Sequence, residues 1–214
     1  VYQEGDDNVA NVTQLSDQNT AYIAQEAESQ NNTATINQGD EGDEGDDQDD
    51  EHAAGIDQDG DSNVGTITQT GNSNDEGISN WAGDFGAFID QDGDDNTGEI
   101  TQGGDDNTAL IDQEGDDNSA SITQNSDENT AEIEQDGDDN VSNVVQEGGD
   151  ENSADVDQDG DDNTSNITQT GSENTAETDQ DGDENFSSIT QSGDENTAEV
   201  DQDGDENSST IVQG

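Results

Sequence analysis

The chain has 214 residues, of which 60 are acidic, one is His and none is Lys, Arg, Cys or Pro, so its net charge is -60. Only 21% of its residues are hydrophobic, whereas an ordinary domain has about 45–50% apolar residues and offsets chain entropy by burying them. The composition excludes an ordinary layered core and, taken alone, is typical of a disordered chain. Only ordered repetition can make such a chain fold.

The sequence is built from a short repeated unit in which Gln recurs at every eleventh position. This Gln series runs from residues 3, 14 and 25 to residues 202 and 213. Gln38 belongs to the series after a two-residue slip, and Asn80 occupies the place of one missing Gln. Counted in this way, the chain has 19 units, and the range 1–214 is predicted to be a single repeat domain.

Each unit carries four inward positions at steps of two. Asn lies six residues before the Gln, a small residue four before it, and Ile or Val two before it. His52 and Phe85 replace the Asn in two units, and Thr178 replaces the Ile or Val in one. Because side chains alternate along a strand, all four positions face the same side, and we predict a seven-residue strand followed by a short turn. The predicted core columns include Ile67, Gln69, Ile89, Gln91, Asn96, Ile100, Gln102, Asn107, Ile111, Gln113, Asn118, Ile122, Gln124, Asn129, Ile133, Gln135, Ile167, Gln169, Ile189 and Gln191.

Two successive units make one coil, with one strand in each of two sheets. The sequence therefore predicts an all-β fold, a two-sheet parallel β-solenoid of nine to ten coils stacked at about 4.8 Å. The Gln and Asn columns are expected to form amide ladders from coil to coil. A helix could also have this period, but the Gly and Asn content and the step of two argue against it.

Two segments depart from the repeat. Residues 39–51 are predicted to form an acidic loop that protrudes from the rod. Residues 75–88 form an atypical repeat in which Glu76 takes the small-residue position and Trp81, Phe85 and Phe88 gather most of the aromatics. This segment is either a local repair of a faulty coil or a lateral contact to a neighbouring fibril or other partner.

The outward position just before the Gln alternates between acidic residues, as at Asp112, and Thr, as at Thr123. One sheet is therefore expected to be acidic and the other coated with Thr, although the alternation breaks between Asp57 and Asp90. Carboxylates stacked at about 4.8 Å repel by nearly 1 kcal/mol per pair even in water. In roughly 1 M salt the Debye length falls to about 3 Å. We therefore expect folding to require abundant cations, and we infer a salt-loving microbe as the source.

Two short acidic segments resemble the D-x-D-G-D core of calcium loops, in which Ca²⁺ takes six to eight oxygen ligands. The distal Glu of an EF-hand is absent, and acidic turns recur simply because the unit repeats. Ordered Ca²⁺ sites and diffuse condensation of Na⁺ or K⁺ both remain open, and no other cofactor is required. The candidate cation ligands are Asp57, Asp59, Asp61, Asp157, Asp159 and Asp161.

The segment at 111–124 has the sequence IDQEGDDNSASITQ. It resembles the repeats of curlin, the major subunit of bacterial curli, in which Ile or Leu, Gln, Gly and an Asn followed by Ala recur in this order. The resemblance covers nearly the whole chain and weakens near 39–51 and 75–86. It implies a secreted, extracellular amyloid subunit that polymerises end to end in a biofilm matrix.

The ends of the repeat are expected to join. Val1 and Gln3 begin the first strand, Ile211 and Gln213 belong to the last, and no cap is visible in the sequence at either end. Open strand edges template further strands. We therefore predict a homopolymer whose partners are further copies of itself and neighbouring fibrils.

Other classes of function fit poorly. Enzyme activity is not expected, because no nucleophile, base or metal set is singled out and His52 lies in the Asn column. The charge repels nucleic acid, and no apolar stretch approaches the length of a membrane span. A secretion signal is missing, as expected of a mature form. The alternative to a fibre subunit is a soluble β-solenoid that binds ice or Ca²⁺.

Overall fold

The computed structural model describes residues 1–15, 18–26, 29–39, 52–71, 74, 78–80 and 83–214. Within these ranges every regular element is a β-strand, which confirms the predicted all-β class. The strands are β1 (Tyr2–Gln3), β2 (Val9–Gln14), β3 (Thr20–Gln25), β4 (Thr33–Gln38), β5 (Ala53–Asp59), β6 (Val64–Gln69), β7 (Ile78–Asn80), β8 (Gly83–Phe85), β9 (Ala87–Asp92), β10 (Thr97–Gln102), β11 (Thr108–Glu114), β12 (Ser119–Gln124), β13 (Thr130–Asp136), β14 (Val141–Gln146), β15 (Ser153–Asp159), β16 (Thr164–Gln169), β17 (Thr175–Asp181), β18 (Phe186–Gln191), β19 (Thr197–Asp203) and β20 (Ser208–Gln213).

Eighteen of these strands form two parallel sheets of nine strands each. Sheet 1 has the order β1-β3-β5-β9-β11-β13-β15-β17-β19, and sheet 2 has the order β2-β4-β6-β10-β12-β14-β16-β18-β20. Like residues pair across each sheet, as Ile111 with Ile133 and Gln113 with Gln135. The predicted two-sheet β-solenoid is thus confirmed, with a height of about 40 Å at the usual strand spacing.

Burial follows the alternation of the strand. In β13 the side chains of Ala131, Ile133 and Gln135 are buried, while the four residues between and beside them are exposed. The Ile or Val column and the small-residue column of both sheets join in one continuous apolar core. This core is thin, so each coil depends on the coils above and below it.

One predicted unit does not enter the stack. Strand β5 pairs directly with β9, so that Ile56 lies beside Ile89, three units further along the chain instead of the usual two. Residues 78–80 and 83–85 of the extra unit form the antiparallel pair β7–β8, which belongs to neither of the two large sheets. The prediction of a nineteenth stacked strand around Asn80 is therefore wrong. A physical reason is that Glu76 would place a carboxylate among the small core residues.

Asn74 takes the place in the Asn column that the spacing assigns to Phe85. The Asn74 carbonyl accepts from the Ala53 N–H, and its Oδ1 accepts from the Asn107 N–H. Looping out an odd unit also explains the break in the alternation, because Asp57 and Asp90 become direct neighbours in sheet 1. The acidic column is therefore continuous from Asp57 to Asp201.

Two predicted features fall partly or wholly outside the described residues. Residues 40–51 of the acidic loop, Trp81 and the side chain of Phe85 lie outside them. His52 is described and takes its place in the Asn column, where its N–H donates to Asn19 Oδ1 at 3.2 Å.

The turns need left-handed backbone at two positions. The residue before each Asn has a φ of 55–65° in 15 units, although none of these residues is Gly. In turns that leave sheet 1, the Gly two residues after the Gln is also left-handed, as at Gly115 with a φ of 108°. In turns that leave sheet 2, Gly104 is required by close approach instead, because an added Cβ would lie 2.2 Å from the Ser126 carbonyl oxygen.

Candidate functional site

The Gln side chains form two unbroken ladders, one along each sheet. In sheet 1, Gln91 Nε2 donates to Gln113 Oε1, and Gln113 Nε2 donates to Gln135 Oε1, both at 2.9 Å. The second amide hydrogen reaches the main chain of the opposite sheet, as Gln124 Nε2 does to the Thr108 carbonyl at 2.9 Å. These fully buried amides are thereby satisfied, which removes the cost of burying them. The ladders place the predicted residues Gln91, Gln113 and Gln135 in sheet 1, and Gln69, Gln102, Gln124, Gln169 and Gln191 in sheet 2.

The Asn side chains form a second pair of ladders where each strand begins. The Asn118 backbone N–H donates to Asn96 Oδ1 at 2.9 Å. Asn96 Nδ2 then donates to the Gly115 carbonyl at 2.7 Å, in the turn of the next coil. Asn96 therefore ties the start of one strand to the turn of the next coil, and Asn118 and Asn140 do the same with the carbonyls of Gly137 and Gly160. Asn107 and Asn129 occupy the equivalent column at the other edge of the stack.

The Ile column lies between these polar ladders and excludes water. Its predicted members, Ile67, Ile89, Ile100, Ile111, Ile122, Ile133, Ile167 and Ile189, are all at most 1% exposed. The exception is Thr178, which is also buried and lies with its Oγ1 3.2 Å from Ser187 Oγ of the opposite sheet. Two hydroxyl groups thus satisfy each other inside an otherwise dry column.

The ladders all point in one direction along the rod. Each Gln Nε2 donates to the coil on its C-terminal side, and each Asn Oδ1 accepts from the N–H of that same coil. Gln3 and Gln14 donate to the next coil, so their Oε1 atoms face the N-terminal end of the stack. Gln202 and Gln213 accept from the coil before them, so one Nε2 hydrogen of each faces the C-terminal end of the stack. The two end surfaces are consequently different and complementary.

The end coils expose side chains that other coils bury. Val12 belongs to the inward Ile or Val column but is 39% exposed in the first coil. The predicted end residues Val1 and Gln3 are exposed, and Ile211 and Gln213 are half-buried. Stacking a further coil on either surface would cover this apolar column.

A third kind of ladder runs along the turns, and it was missed from the sequence. The Asp94 N–H donates to Asp116 Oδ1 at 2.8 Å, and the Asp116 N–H donates to Asp138 Oδ1 at 2.9 Å. Hydrogen bonds to a carboxylate are stronger than those to a neutral acceptor, so acidic turns contribute to stacking. The signal was present, since Asp often stands at the third position after the Gln.

The candidate cation ligands are not brought together. Among the residues that the structure describes, no three His, Asp or Glu side chains are placed to hold a metal ion. The turn carboxylates belong to the turn ladder: Asp61 Oδ1 accepts from the Gln30 N–H, and Asp161 Oδ1 accepts from the Asp138 N–H. The other candidates, Asp57, Asp59, Asp157 and Asp159, lie on the outward side of β5 and β15 in sheet 1.

Three carboxylates of the outward acidic column are partly removed from water. Burial raises the pKa of Asp57, Asp90 and Asp112 to about 6, and repulsion from neighbouring carboxylates adds to the effect. The β7–β8 pair lies against sheet 1 here. Ile78 of that pair packs on a small apolar cluster that includes the buried Phe88. Phe88, an outward residue of β9, is therefore covered by the β7–β8 pair and is not exposed at the surface.

Taken together, the fold and its columns define a class of protein: a parallel, cross-β solenoid of strand-turn repeats held together by amide ladders. The Curlin associated repeat matches residues 53–79, 93–125, 126–160, 143–171, 160–193, 171–204 and 193–214. The chain belongs to the curlin family, whose members are structural amyloid subunits, not enzymes, and need no cofactor. A comparison with curated proteins finds no match.

In the described part of the chain, no helix is long and apolar enough to cross a membrane.

Proposed function

We propose that this chain is the structural subunit of an extracellular, curli-like amyloid fibre in a biofilm matrix, and that the fibre grows end to end. The observation that carries this proposal is the single direction of the ladders. Because the two end surfaces are complementary and unlike, the end of one copy can dock on the end of another only by continuing the stack. A head-to-tail contact of this kind does not close and generates a filament.

The register of the stack defines the junction. Continuing sheet 1 places β1 of one copy beside β19 of another, with Gln3 accepting from Gln202 Nε2. Continuing sheet 2 places β2 beside β20, with Gln14 accepting from Gln213 Nε2. The junction would cover the exposed Val12 and repeat the contacts found between all coils within the subunit.

The charge of the fibre determines the solution conditions in which it can form. The chain has 60 acidic residues and no Lys or Arg, so solvent cations must supply the counter-charge along the whole filament. In about 1 M salt the Debye length is roughly 3 Å, shorter than the spacing of stacked carboxylates. We therefore expect the fibre to form in cation-rich water, outside a salt-loving cell.

The proposal is tested by following assembly of the purified chain against NaCl concentration, from about 0.1 M to about 2 M, with and without EDTA. Electron microscopy should show unbranched filaments only at high salt, and chelation should leave them unchanged. Monomeric solenoids at every salt concentration would contradict the proposal. If the filaments dissolved in EDTA, the cation requirement would be explained by specific divalent sites instead of charge screening.

The soluble alternatives have less support. An ice-binding surface needs adjacent columns of Thr, but the column beside Thr101 and Thr123 in sheet 2 contains Glu99, Ser121 and Asn143. A Ca²⁺-binding solenoid needs a ligand set, and the described residues contain none. The fibre is therefore the function that the geometry supports best.

A further inference from the structure

The outward faces of the two sheets differ sharply in charge. The strands of sheet 1 carry 18 carboxylates. The strands of sheet 2 carry one, Glu99, although the chain as a whole has 60. Sheet 2 is thus a nearly neutral face on a strongly acidic rod, and we call it the neutral face.

The neutral face combines hydroxyl, amide and apolar side chains. Its three outward columns are mostly Thr, Ser and Asn, as in β12 and β16. Five of the exposed large hydrophobic residues also lie in these columns. They are Val9, Val64, Val141, Phe186 and Val212.

The size of the neutral face suits a stable contact. Nine strands at about 4.8 Å span roughly 40 Å along the rod, and the six positions of a strand at about 3.3 Å each span roughly 20 Å across it. The product, about 800 Å² per copy, equals the area that one partner buries in a standard protein interface. In a filament the area grows with every added subunit.

We propose that the neutral face docks on the neutral face of a second copy, so that filaments pair side by side with their acidic sheets outward. The two alternatives pair sheet 1 of one copy with either sheet 1 or sheet 2 of the second copy. Both would bury carboxylates of sheet 1 without counter-charge. Two sheet 2 faces can approach to about 10 Å, the usual distance of packed sheets. Val141, Phe186 and their neighbours would then pack, while Thr and Asn side chains hydrogen-bond across the contact.

This inference rests on the proposed fibre, but it concerns a different surface, so the two can fail separately. The test compares the wild type with Thr123→Glu/Thr168→Glu on the neutral face and Thr130→Glu/Thr175→Glu on sheet 1. Both variants replace two outward Thr residues, two coils apart, and add the same charge. Each protein is assembled in about 2 M NaCl, where surface repulsion is screened, and filament length and width are measured by cryo-electron microscopy.

We expect paired filaments from the wild type and from the sheet 1 variant, with the sheet 2 faces opposed. The neutral-face variant should elongate normally but lose its pairing by about tenfold or more, because pairing would bury its new carboxylates without counter-charge. Single filaments from the wild type, or pairing that both variants retain, would overturn the inference while leaving the fibre intact. The inference would also be overturned if wild-type filaments stayed single and bound soluble dextran or ice crystals through this face. The neutral face would then serve a partner other than a second copy. Loss of elongation in all three proteins would instead refute the proposed function.

Discussion

The two sheets of this solenoid share one inner surface and have opposite outer surfaces. Gln, Ile or Val, a small residue and Asn recur on the inner side of both. On the outer side, the residue before the Gln is acidic in sheet 1 at Asp112 and neutral in sheet 2 at Thr123. The difference teaches that the inward columns determine how the chain folds, whereas the outward columns determine the conditions in which it folds and what it can touch.

The largest expected effect tests whether the inner surfaces are equivalent. Gln113→Ala in sheet 1 and Gln124→Ala in sheet 2 each remove two donated hydrogen bonds and leave neighbouring ladder amides unpaired. Each substitution should lower the free energy of unfolding by about 3–5 kcal/mol. Urea titrations followed by circular dichroism in molar NaCl would measure both.

The control for this pair is the outward Thr123→Ala, which should change the free energy of unfolding by no more than about 0.5 kcal/mol. If only one of the two Gln variants lost less than about 1 kcal/mol of unfolding free energy, the inner surfaces of the two sheets would not be equivalent. That result would mean that one of the ladders does not support the stack.

The second expected effect separates the outer surfaces by pH. The pKa values of Asp57, Asp90 and Asp112 are raised to about 6 in the fold, from an ordinary value of 3.8. Raised values favour the protonated fold, so the contribution of these groups to stability is highest below pH 3.8 and falls as pH rises to about 6. With allowance for solvent screening, since Asp90 and Asp112 are only partly buried, the loss should be about 2–4 kcal/mol for the three together.

Asp57→Asn/Asp90→Asn/Asp112→Asn should remove most of this pH dependence, as measured by urea unfolding at pH 4 and pH 7. A matched variant, Glu199→Gln/Asp201→Asn/Asp203→Asn, removes three charges from the far end of the same sheet and should keep it. If both variants reduced the pH dependence of the unfolding free energy equally, overall charge, and not Asp57, Asp90 and Asp112, would control it.

The smallest expected effect lies in the small-residue column. Sheet 1 has Ala at Ala154, whereas sheet 2 has Ser142 and Ser165, buried hydroxyl groups without a hydrogen-bond partner among the described residues. Ser165→Ala should therefore stabilise the fold by about 1 kcal/mol, and the reverse change, Ala154→Ser, should destabilise it by about as much. Thermal or urea unfolding would detect both. Destabilisation by Ser165→Ala would show that its hydroxyl is bonded after all.

Most of the stack could be predicted because the same residue types recur at each inward position of nearly every unit. The pair formed by Ile111 and Gln113 recurs in this way, and a strand has only two faces on which such a pattern can lie. The direction of the ladders could not be predicted, because an amide column such as that of Gln113 can run either way until backbone geometry selects one.

The predictions failed where spacing was followed through an irregular unit. Counting unit by unit placed Phe85 in the Asn column, whereas the structure places Asn74 there and loops out one whole unit. The sequence does not reveal that this unit lies outside the stack, because the unit is one full repeat long. Its omission from the stack leaves the spacing of all later Gln residues unchanged. The turn ladder of Asp94 and Asp116 was missed because the acidic turns were attributed to the repeat of the unit. The sequence does not show which backbone N–H groups lie near a carboxylate.

The central claim, head-to-tail growth, can be tested directly by cysteine cross-linking, because the chain has no Cys of its own. Continued stacking places Tyr2 of one copy beside Asp201 of the next on sheet 1, away from the neutral face, at a strand spacing within the range that a disulfide bridges. After oxidation, filaments of the double variant Tyr2→Cys/Asp201→Cys should yield a ladder of covalent multimers on a denaturing gel, and each single variant should run as a monomer. Covalent dimers from either single variant, or no ladder from the double variant, would contradict the account.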